Sequence, residues 1–177
     1  KKVAVVEREY LGGVCLNVGC IPSKAMISAA TYLYKSQNSF ADMGFELSGP
    51  VKVDYKKLQN WKQSVCDKMS GGVKQLLKGN KVEVISGEAS FVSKTELKVG
   101  GESIRAKDFV IATGSRPIQI PGFEYDEKNI LSSTGGLAQD KALKTLLVIG
   151  GGYIGLEIGM FMAKLGTKVT VVEAGSA

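Results

Sequence analysis

Two cysteines, Cys15 and Cys20, lie with four residues between them in the stretch Leu11-Gly12-Gly13-Val14-Cys15-Leu16-Asn17-Val18-Gly19-Cys20-Ile21-Pro22-Ser23-Lys24. The chemistry open to two such thiols is thiol–disulfide exchange. One thiolate attacks an incoming disulfide, and the second resolves the mixed disulfide. Geometry sets a condition on this. Five residues of regular helix rise about 7.5 Å, beyond the roughly 7 Å between Cα atoms that an unstrained bridge tolerates. A Cys15–Cys20 bridge therefore needs a distorted turn, and Gly19 and Pro22 are the available causes. On spacing alone three readings stay open: a redox pair, two unrelated buried thiols, or a structural bridge. A metal site is not expected. A closed site takes four ligands, usually Cys or His, and the chain has no histidine and one further cysteine, Cys66.

A second motif points to nucleotides. Gly150-Gly151-Gly152-Tyr153-Ile154-Gly155 follows the apolar run Thr145-Leu146-Leu147-Val148-Ile149 and opens a helix over Leu156 to Leu165 that ends at Gly166. A second strand, Lys168 to Val172, is followed by Glu173. This is a strand–helix–strand unit of dinucleotide-binding type. Gly150 permits the tight turn, Gly152 lets backbone N–H groups approach a pyrophosphate, and Gly155 lets helix and strand pack closely. The helix N-terminus then faces the anion. Glu173 is placed to accept hydrogen bonds from a ribose, and its charge repels a 2′-phosphate, which favours NAD(H) over NADP(H). A glycine-rich turn without a ligand is the bland alternative. Glu7 ends a strand over Val3 to Val6 in the same way, so it is a candidate for a second ribose. Its supporting glycine turn would lie some twenty residues upstream.

The elements that must hold these groups are readable in outline. Val3 to Val6 and Thr145 to Ile149 read as buried parallel strands. Lys24 to Met43 reads as a helix stopped by Gly44, with Pro22 near its start. Asp54 is a candidate N-cap for a helix whose face is Tyr55, Leu58, Trp61, Val65, Met69, Val73 and Leu76. Gly71-Gly72 weakens that helix, and Cys66 beside the stripe reads as a small buried thiol. Short strands follow at 81–85, 89–93, 96–99 and 102–106, with a hairpin at Gly100-Gly101. Phe109-Val110-Ile111-Ala112 reads as another buried strand. Pro117, Pro121 and Gly122 mark a linker. The fold class is α/β: two Rossmann-like dinucleotide-binding domains with a small antiparallel meander. The expected division is 1–117, a linker over 118–142, and 143–177.

The bulk properties exclude more than they assign. No apolar run reaches the roughly 20 residues of a membrane span, and the start, Lys1-Lys2-Val3-Ala4, lacks a signal-peptide layout. The formal net charge is +6, but the lysines are scattered and no nucleic-acid motif accompanies them. A solvated surface is the expectation, with neither a nucleic-acid nor a membrane partner. Three cysteines, an odd and low count, do not resemble a secreted disulfide framework.

The whole set of motifs resembles one family. Gly12-Gly13-Val14-Cys15 through Ile21-Pro22-Ser23-Lys24 is similar to the active-site disulfide motif of the flavin-dependent pyridine nucleotide-disulfide oxidoreductases, most closely their dihydrolipoyl dehydrogenase branch. The segment from Thr95 to Ala112 that runs into Thr113-Gly114-Ser115-Arg116-Pro117 resembles the close of their flavin domain. The turn at Gly150 through Glu157, with Glu173, resembles their NAD site.

The resemblance implies FAD and NAD as cofactors and a first domain that binds FAD, here without its first strand and glycine turn. It implies Cys15 as the thiol meeting substrate, and Cys20 against the flavin. Lys24 would stand at the flavin's reactive edge, paired with Glu157, although a solvated lysine is the bland reading. Glu7, Gly12, Gly13, Val14, Cys15, Lys24, Gly87, Ala89, Ala112, Thr113, Gly114 and Ser115 would approach FAD. Gly150, Gly152, Tyr153, Ile154, Gly155, Glu157 and Glu173 would approach NAD. The implied reaction oxidises protein-bound dihydrolipoamide through the disulfide and FAD, with NAD⁺ as acceptor. The implied partner is the lipoyl-bearing subunit of a 2-oxo acid dehydrogenase or glycine cleavage complex. A homodimer is implied, located in the cytoplasm, or in the mitochondrial matrix of a eukaryote.

The alternatives are another flavin disulfide reductase, mercuric or for a low-molecular-weight disulfide, and a non-catalytic nucleotide-binding module. Val14 stands where these motifs usually carry threonine. The histidine base of the family comes from the partner subunit's interface domain, and this sequence contains none. Both nucleotide units read as incomplete, so the expectation is a part of a longer polypeptide, inactive as these 177 residues alone.

Overall fold

The β-branched run near the start forms β1 (Ala4–Glu7) in the computed structural model, which describes residues 2–175. The expected domain ends at 1 and at 176–177 lie outside the described residues. β1 pairs in parallel with β2 (Glu83–Ser86), Ala4 opposite Glu83 and Glu7 opposite Ser86. It is not the buried strand expected from its composition: Ala4 is exposed and Val5 to Glu7 are half-buried, because among the described residues β2 is its only strand neighbour.

A parallel pair needs a long crossover. Here it consists of α1 (Gly13–Val18), α2 (Cys20–Asn38) and α3 (Tyr55–Gly79). The helix expected over Lys24 to Met43 thus starts earlier and stops earlier. Gly19, at φ −133° and ψ −111°, leaves helical space and lets a new helix start at Cys20. Pro22 falls in that first turn, where its missing N–H breaks no bond. At the other end Ser39 turns out at φ −136°, and the N–H groups of Ser39 and Phe40 both donate to the Lys35 carbonyl.

Taken together, residues 13–38 are long and apolar enough to cross a membrane by length and composition, contrary to the sequence estimate. The break at Gly19 and the burial of Met26, Ala30 and Leu33 show instead a helix pair packed on a protein core.

α3 begins where Asp54 accepts a hydrogen bond from the Lys57 N–H at 3.0 Å, as an N-cap should. It runs through Gly71-Gly72 without interruption. Its buried face is not the expected stripe. Lys62 and Cys66 are buried, whereas Trp61, Met69 and Leu76 are exposed. Val65 and Val73 are half-buried, and the first turns of the stripe reach the core. Leu58 packs on the core, and Tyr55 donates to the Leu165 carbonyl at 3.2 Å. Lys62 Nζ donates to the Leu137 carbonyl at 3.1 Å, and desolvation pushes its pKa down.

The meander is β3 (Ala89–Ser93), β4 (Glu96–Val99) and β5 (Glu102–Arg105), antiparallel in that order. Gly100 and Gly101 have φ of 56° and 96°, the positive pair that a tight hairpin requires. The strand expected over Phe109 to Ala112 does not form. No strand pairs with it among the described residues, and Val110 and Ile111 are 92% and 72% exposed. The expected linker 118–142 carries an element, α4 (Ser133–Leu137), capped by Ser132, whose Oγ accepts from the N–H groups of Thr134 and Gly135.

The last unit is β6 (Thr145–Ile149), α5 (Tyr153–Lys164) and β7 (Lys168–Val172), with the strands parallel. α5 begins at Tyr153 rather than Leu156, directly after the glycines. β6 is half-buried on alternate residues, because one face lies on α5 and among the described residues no layer covers the other.

α2, α4 and α5 share one core: Met26 and Ala30, Leu137, and Ile158, Phe161 and Met162. Phe161 is fully buried at its centre. Phe161→Ala is expected to cost about 3–5 kcal/mol, read as a lowered urea midpoint of the polypeptide that carries this sequence. An unchanged midpoint would show that the three helices do not depend on this core.

Candidate active site

The break at Gly19 sets the thiols. Cys15 lies in the first turn of α1 and Cys20 is the first residue of α2, both free and exposed. The turn between them is distorted as a bridge would require, and Gly19 rather than Pro22 is the cause. The Cys20 side chain is the main influence on Cys15. Its proximity pushes the Cys15 thiol above its ordinary range, with desolvation and the Cys20 charge adding to it.

α1 has only six residues and no side-chain cap, too short to persist by itself. Asn17 holds it from within: its Nδ2 donates to the Leu11 carbonyl at 3.0 Å and the Gly13 carbonyl at 2.9 Å. Gly12 opens it at φ 91°, and a Cβ there would stand 2.7 Å from Leu16 Cδ2. Gly13 also has positive φ, and Val14 is exposed at the start of the helix.

One turn below Cys20, Lys24 forms an ion pair with Glu157 of α5, Nζ to Oε1. Ser23 Oγ donates to the other oxygen, Oε2, at 2.8 Å. These bonds hold the Glu157 carboxyl below its ordinary range, Lys24 contributing most and Ser23 next, against partial desolvation. Ser23 and Asn17 were not singled out in the sequence. The i, i+3, i+4 spacing of Cys20, Ser23 and Lys24, which puts them on one helix face, was the available signal.

At the carboxyl ends of β1 and β2 the remaining candidates gather. Glu7 Oε1 accepts from the N–H groups of Arg8 and Glu9, both at 2.8 Å. Its Oε2 has no partner among the described residues. The Gly87 N–H donates to the Glu7 carbonyl at 2.9 Å, and Ala89 begins β3 just beyond. Ala112, Thr113, Gly114 and Ser115 are exposed and irregular. Arg116 Nη2, 3.4 Å from Glu9 Oε1, ties their segment to this end of β1. A cleft of about 390 Å³ opens here, lined by Glu7, Tyr10, Asn17, Ser70 and Lys74 among others. Its place at the strand ends and the free carboxylate oxygen fit the adenosine part of a nucleotide such as FAD.

The second cradle is tighter. Gly150, at φ 99°, donates its N–H to the Val172 carbonyl at 2.8 Å. Glu173 accepts from the Gly151 N–H at 2.6 Å and from the Gly175 N–H at 2.8 Å, and these bonds lower its pKa, Gly175 first. Gly152 is the N-cap of α5 without any side-chain cap, and a Cβ there would meet nothing within 4 Å. Uncapped N–H groups facing open space fit a pyrophosphate. Tyr153 and Ile154 are exposed beside them. At Gly155 a Cβ would stand 2.7 Å from the Gly150 carbonyl oxygen and 2.9 Å from Val148 Cγ1. No group of three or more metal-ligating side chains occurs among the described residues.

Residues 1–177 match the family model for pyridine nucleotide-disulphide oxidoreductases, and the chain belongs to that family. It is 50% identical to a dihydrolipoyl dehydrogenase of Bacillus subtilis (strain 168), the match covering 99% of this chain and 37% of that protein. It is 46% identical to a dihydrolipoyl dehydrogenase of Trypanosoma brucei brucei, over 98% of this chain and 37% of that one. The chain thus spans 37% of the length of these curated relatives. Among solved structures, LpdA from Mycobacterium tuberculosis has the same fold at a TM-score of 0.89 and 23% identity, covering 99% of this chain and 39% of that one. The HOCl-induced flavoprotein disulfide reductase RclA from Escherichia coli superposes at a TM-score of 0.83 and 28% identity, covering 100% of this chain and 38% of that one.

Two outcomes test this geometry. A carboxyl whose pKa is lowered by folding stabilises above its unfolded value, and that stability is lost as pH falls through the folded value. Glu157→Gln should therefore lose less stability than the parent below about pH 4, measured by urea unfolding against pH; parallel curves would deny the Lys24–Glu157 contribution. Gly155→Ala should lower NADH affinity on the order of tenfold, about 1.4 kcal/mol, by calorimetric titration. Unchanged affinity would remove the close approach from the binding turn.

Proposed function

We propose that the polypeptide carrying this sequence oxidises dihydrolipoamide on a lipoyl-bearing protein, with NAD⁺ as final acceptor. The observation that carries the reading is the exposed Cys15–Cys20 pair across the Gly19 break, with the Lys24–Glu157 pair one turn below and a nucleotide cradle on either side. Relatives 45–50% identical and named dihydrolipoyl dehydrogenase support it over other flavin disulfide reductases.

In this mechanism the resting pair is a disulfide. A substrate thiolate attacks Cys15 Sγ, forming a mixed disulfide and releasing Cys20 as thiolate. The second substrate thiolate then attacks the substrate sulfur bound to Cys15, closing the lipoyl disulfide and expelling Cys15. Substrate has lost two electrons and two protons; the electrons reside on the Cys15–Cys20 dithiol. FAD at the Glu7 cradle and NAD⁺ at the Glu173 cradle would supply the two-electron acceptors that return the pair to disulfide. Cys15 takes and gives up its proton at Sγ, while the Lys24 ammonium, held by Glu157 one turn along α2 from Cys20, would stand at the flavin's reactive edge. Glu173 accepts ribose hydroxyls and excludes a 2′-phosphate by charge. No histidine in these 177 residues is available as the base, and alone they are not expected to complete the cycle.

The natural partner on this reading is the lipoyl-bearing subunit of a 2-oxo acid dehydrogenase or glycine cleavage complex. The enzyme would work as a homodimer, in the cytoplasm or, in a eukaryote, the mitochondrial matrix. The test is anaerobic titration of the full natural polypeptide with dihydrolipoamide and with NADH. Both should give a two-electron-reduced form with a long-wavelength absorbance band that Cys20→Ser abolishes. Reduction by NADH but not by dihydrolipoamide would overturn the substrate, and absence of any flavin would overturn the reaction class.

A further inference from the structure

Glu157 is held by two residues of unlike character. Lys24 has a side chain 58% exposed, and an ion pair of that kind contributes little and holds its geometry poorly. Ser23 is 7% exposed, and its hydroxyl donates to Glu157 Oε2 at 2.8 Å. Its own N–H donates to the Gly19 carbonyl at 3.0 Å, closing the first turn of α2 on the break itself. The hydroxyl is thus fixed to the same turn as Cys20.

We infer that Ser23 is a positioning residue: by clamping one oxygen of Glu157 it aims the other at Lys24, and so fixes where the ammonium stands relative to Cys20. This inference rests on the reading of Cys15 and Cys20 as the redox pair. The division of oxygens matters. A carboxylate gripped at Oε1 alone is free to swing about its Cγ–Cδ axis, carrying Lys24 with it. Gripped at both oxygens, it is not.

Ser23 is not needed to hold α2 on α5. Met26 and Ala30, one and two turns on, pack in one core with Ile158, Phe161 and Met162, and Lys164 Nζ donates to Thr31 Oγ1 at 3.0 Å. Loss of the hydroxyl is therefore a loss of aim rather than of fold. The Ser23 bond also stabilises the ionised form of Glu157, so its removal raises the proton affinity of that carboxyl.

The test uses the full natural holoprotein with Ser23→Ala and Ser23→Thr. Ser23→Ala should melt within a few degrees of the parent and lower kcat for dihydrolipoamide about three- to tenfold, as expected for a hydrogen bond to a partly exposed charge. KM for NAD⁺ should be unchanged, and the acid limb of the kcat profile should move to higher pH. The pH profile for iodoacetamide alkylation of the reduced Cys15–Cys20 pair, read by peptide mass, should shift as well. Ser23→Thr keeps the hydroxyl and should restore all three. The inference is overturned if Ser23→Ala matches the parent in acid limb and alkylation, or if it only lowers the melting temperature. If the parent protein fails to oxidise dihydrolipoamide, the proposed reaction falls, and the alkylation profile still decides the role of Ser23.

Discussion

Everything the thiols do depends on one interruption of regular structure, the backbone at Gly19. A continuous helix through residues 13–38 would hold Cys15 and Cys20 too far apart axially to bridge. At φ −133° and ψ −111° the chain instead ends α1 and starts α2, with Cys20 at the new N-terminus. The residue has to be small. A Cβ on Gly19 would stand 3.0 Å from the Val14 carbonyl oxygen, pressing on the residue before Cys15. The cost of the break is a six-residue helix without a side-chain cap, and Asn17 offsets it with two bonds to the turn at Leu11 and Gly13.

The same helix that starts at the break also carries the hydrophobic core. Ser23 and Lys24 reach Glu157, while Ala25, Met26 and Ala30 on the next positions are buried. An exposed ion pair is weak by itself, so its geometry depends on the Ser23 bond and on the packing of Met26 and Ala30 against Ile158, Phe161 and Met162, which sets the two helices. This arrangement links the thiol turn to the glycine turn before α5 through one layer of apolar contacts. A change in that layer is felt at both.

How much of this was legible in the sequence follows from what each signal measures. Local turn chemistry read true: Asp54 caps α3, Gly100-Gly101 turn a hairpin, and the glycines at 150–155 open α5 between two parallel strands. These depend on a few neighbouring residues. Burial read poorly. Phe109 to Ala112 has strand composition but no strand beside it, and Trp61, Met69 and Leu76 follow helical spacing on a face that α3 leaves in solvent. Composition reports what a segment is able to bury, whereas the neighbours it meets decide what it does bury. α4 escaped notice because Ser133-Thr-Gly-Gly-Leu137 has turn composition; its helix is fixed by the Ser132 cap and by Leu137 entering the core. The Lys24–Glu157 pair spans 133 positions, a separation no local pattern encodes, and it was expected from the family resemblance alone. For Ser23 the local spacing shows the shared helix face with Cys20 and Lys24, but not its partner, which lies on another helix.

The two strand-end glutamates show how one device is built twice with different tightness. Each carboxylate accepts backbone N–H groups: Glu7 from Arg8 and Glu9 on one oxygen, Glu173 from Gly151 and Gly175 on both. A carboxylate offers about four acceptor positions, so these bonds orient the group without exhausting it. Orientation in advance matters because a swinging side chain would lose rotamer freedom on binding a ribose. Glu173 is the more constrained, since its bond to Gly151 also closes the glycine turn, and its lowered pKa keeps it charged. On the proposed function, this fixed negative charge beside the turn would discriminate against a 2′-phosphate. Glu7, bonded through one oxygen and lining an open cleft, is the less constrained of the two.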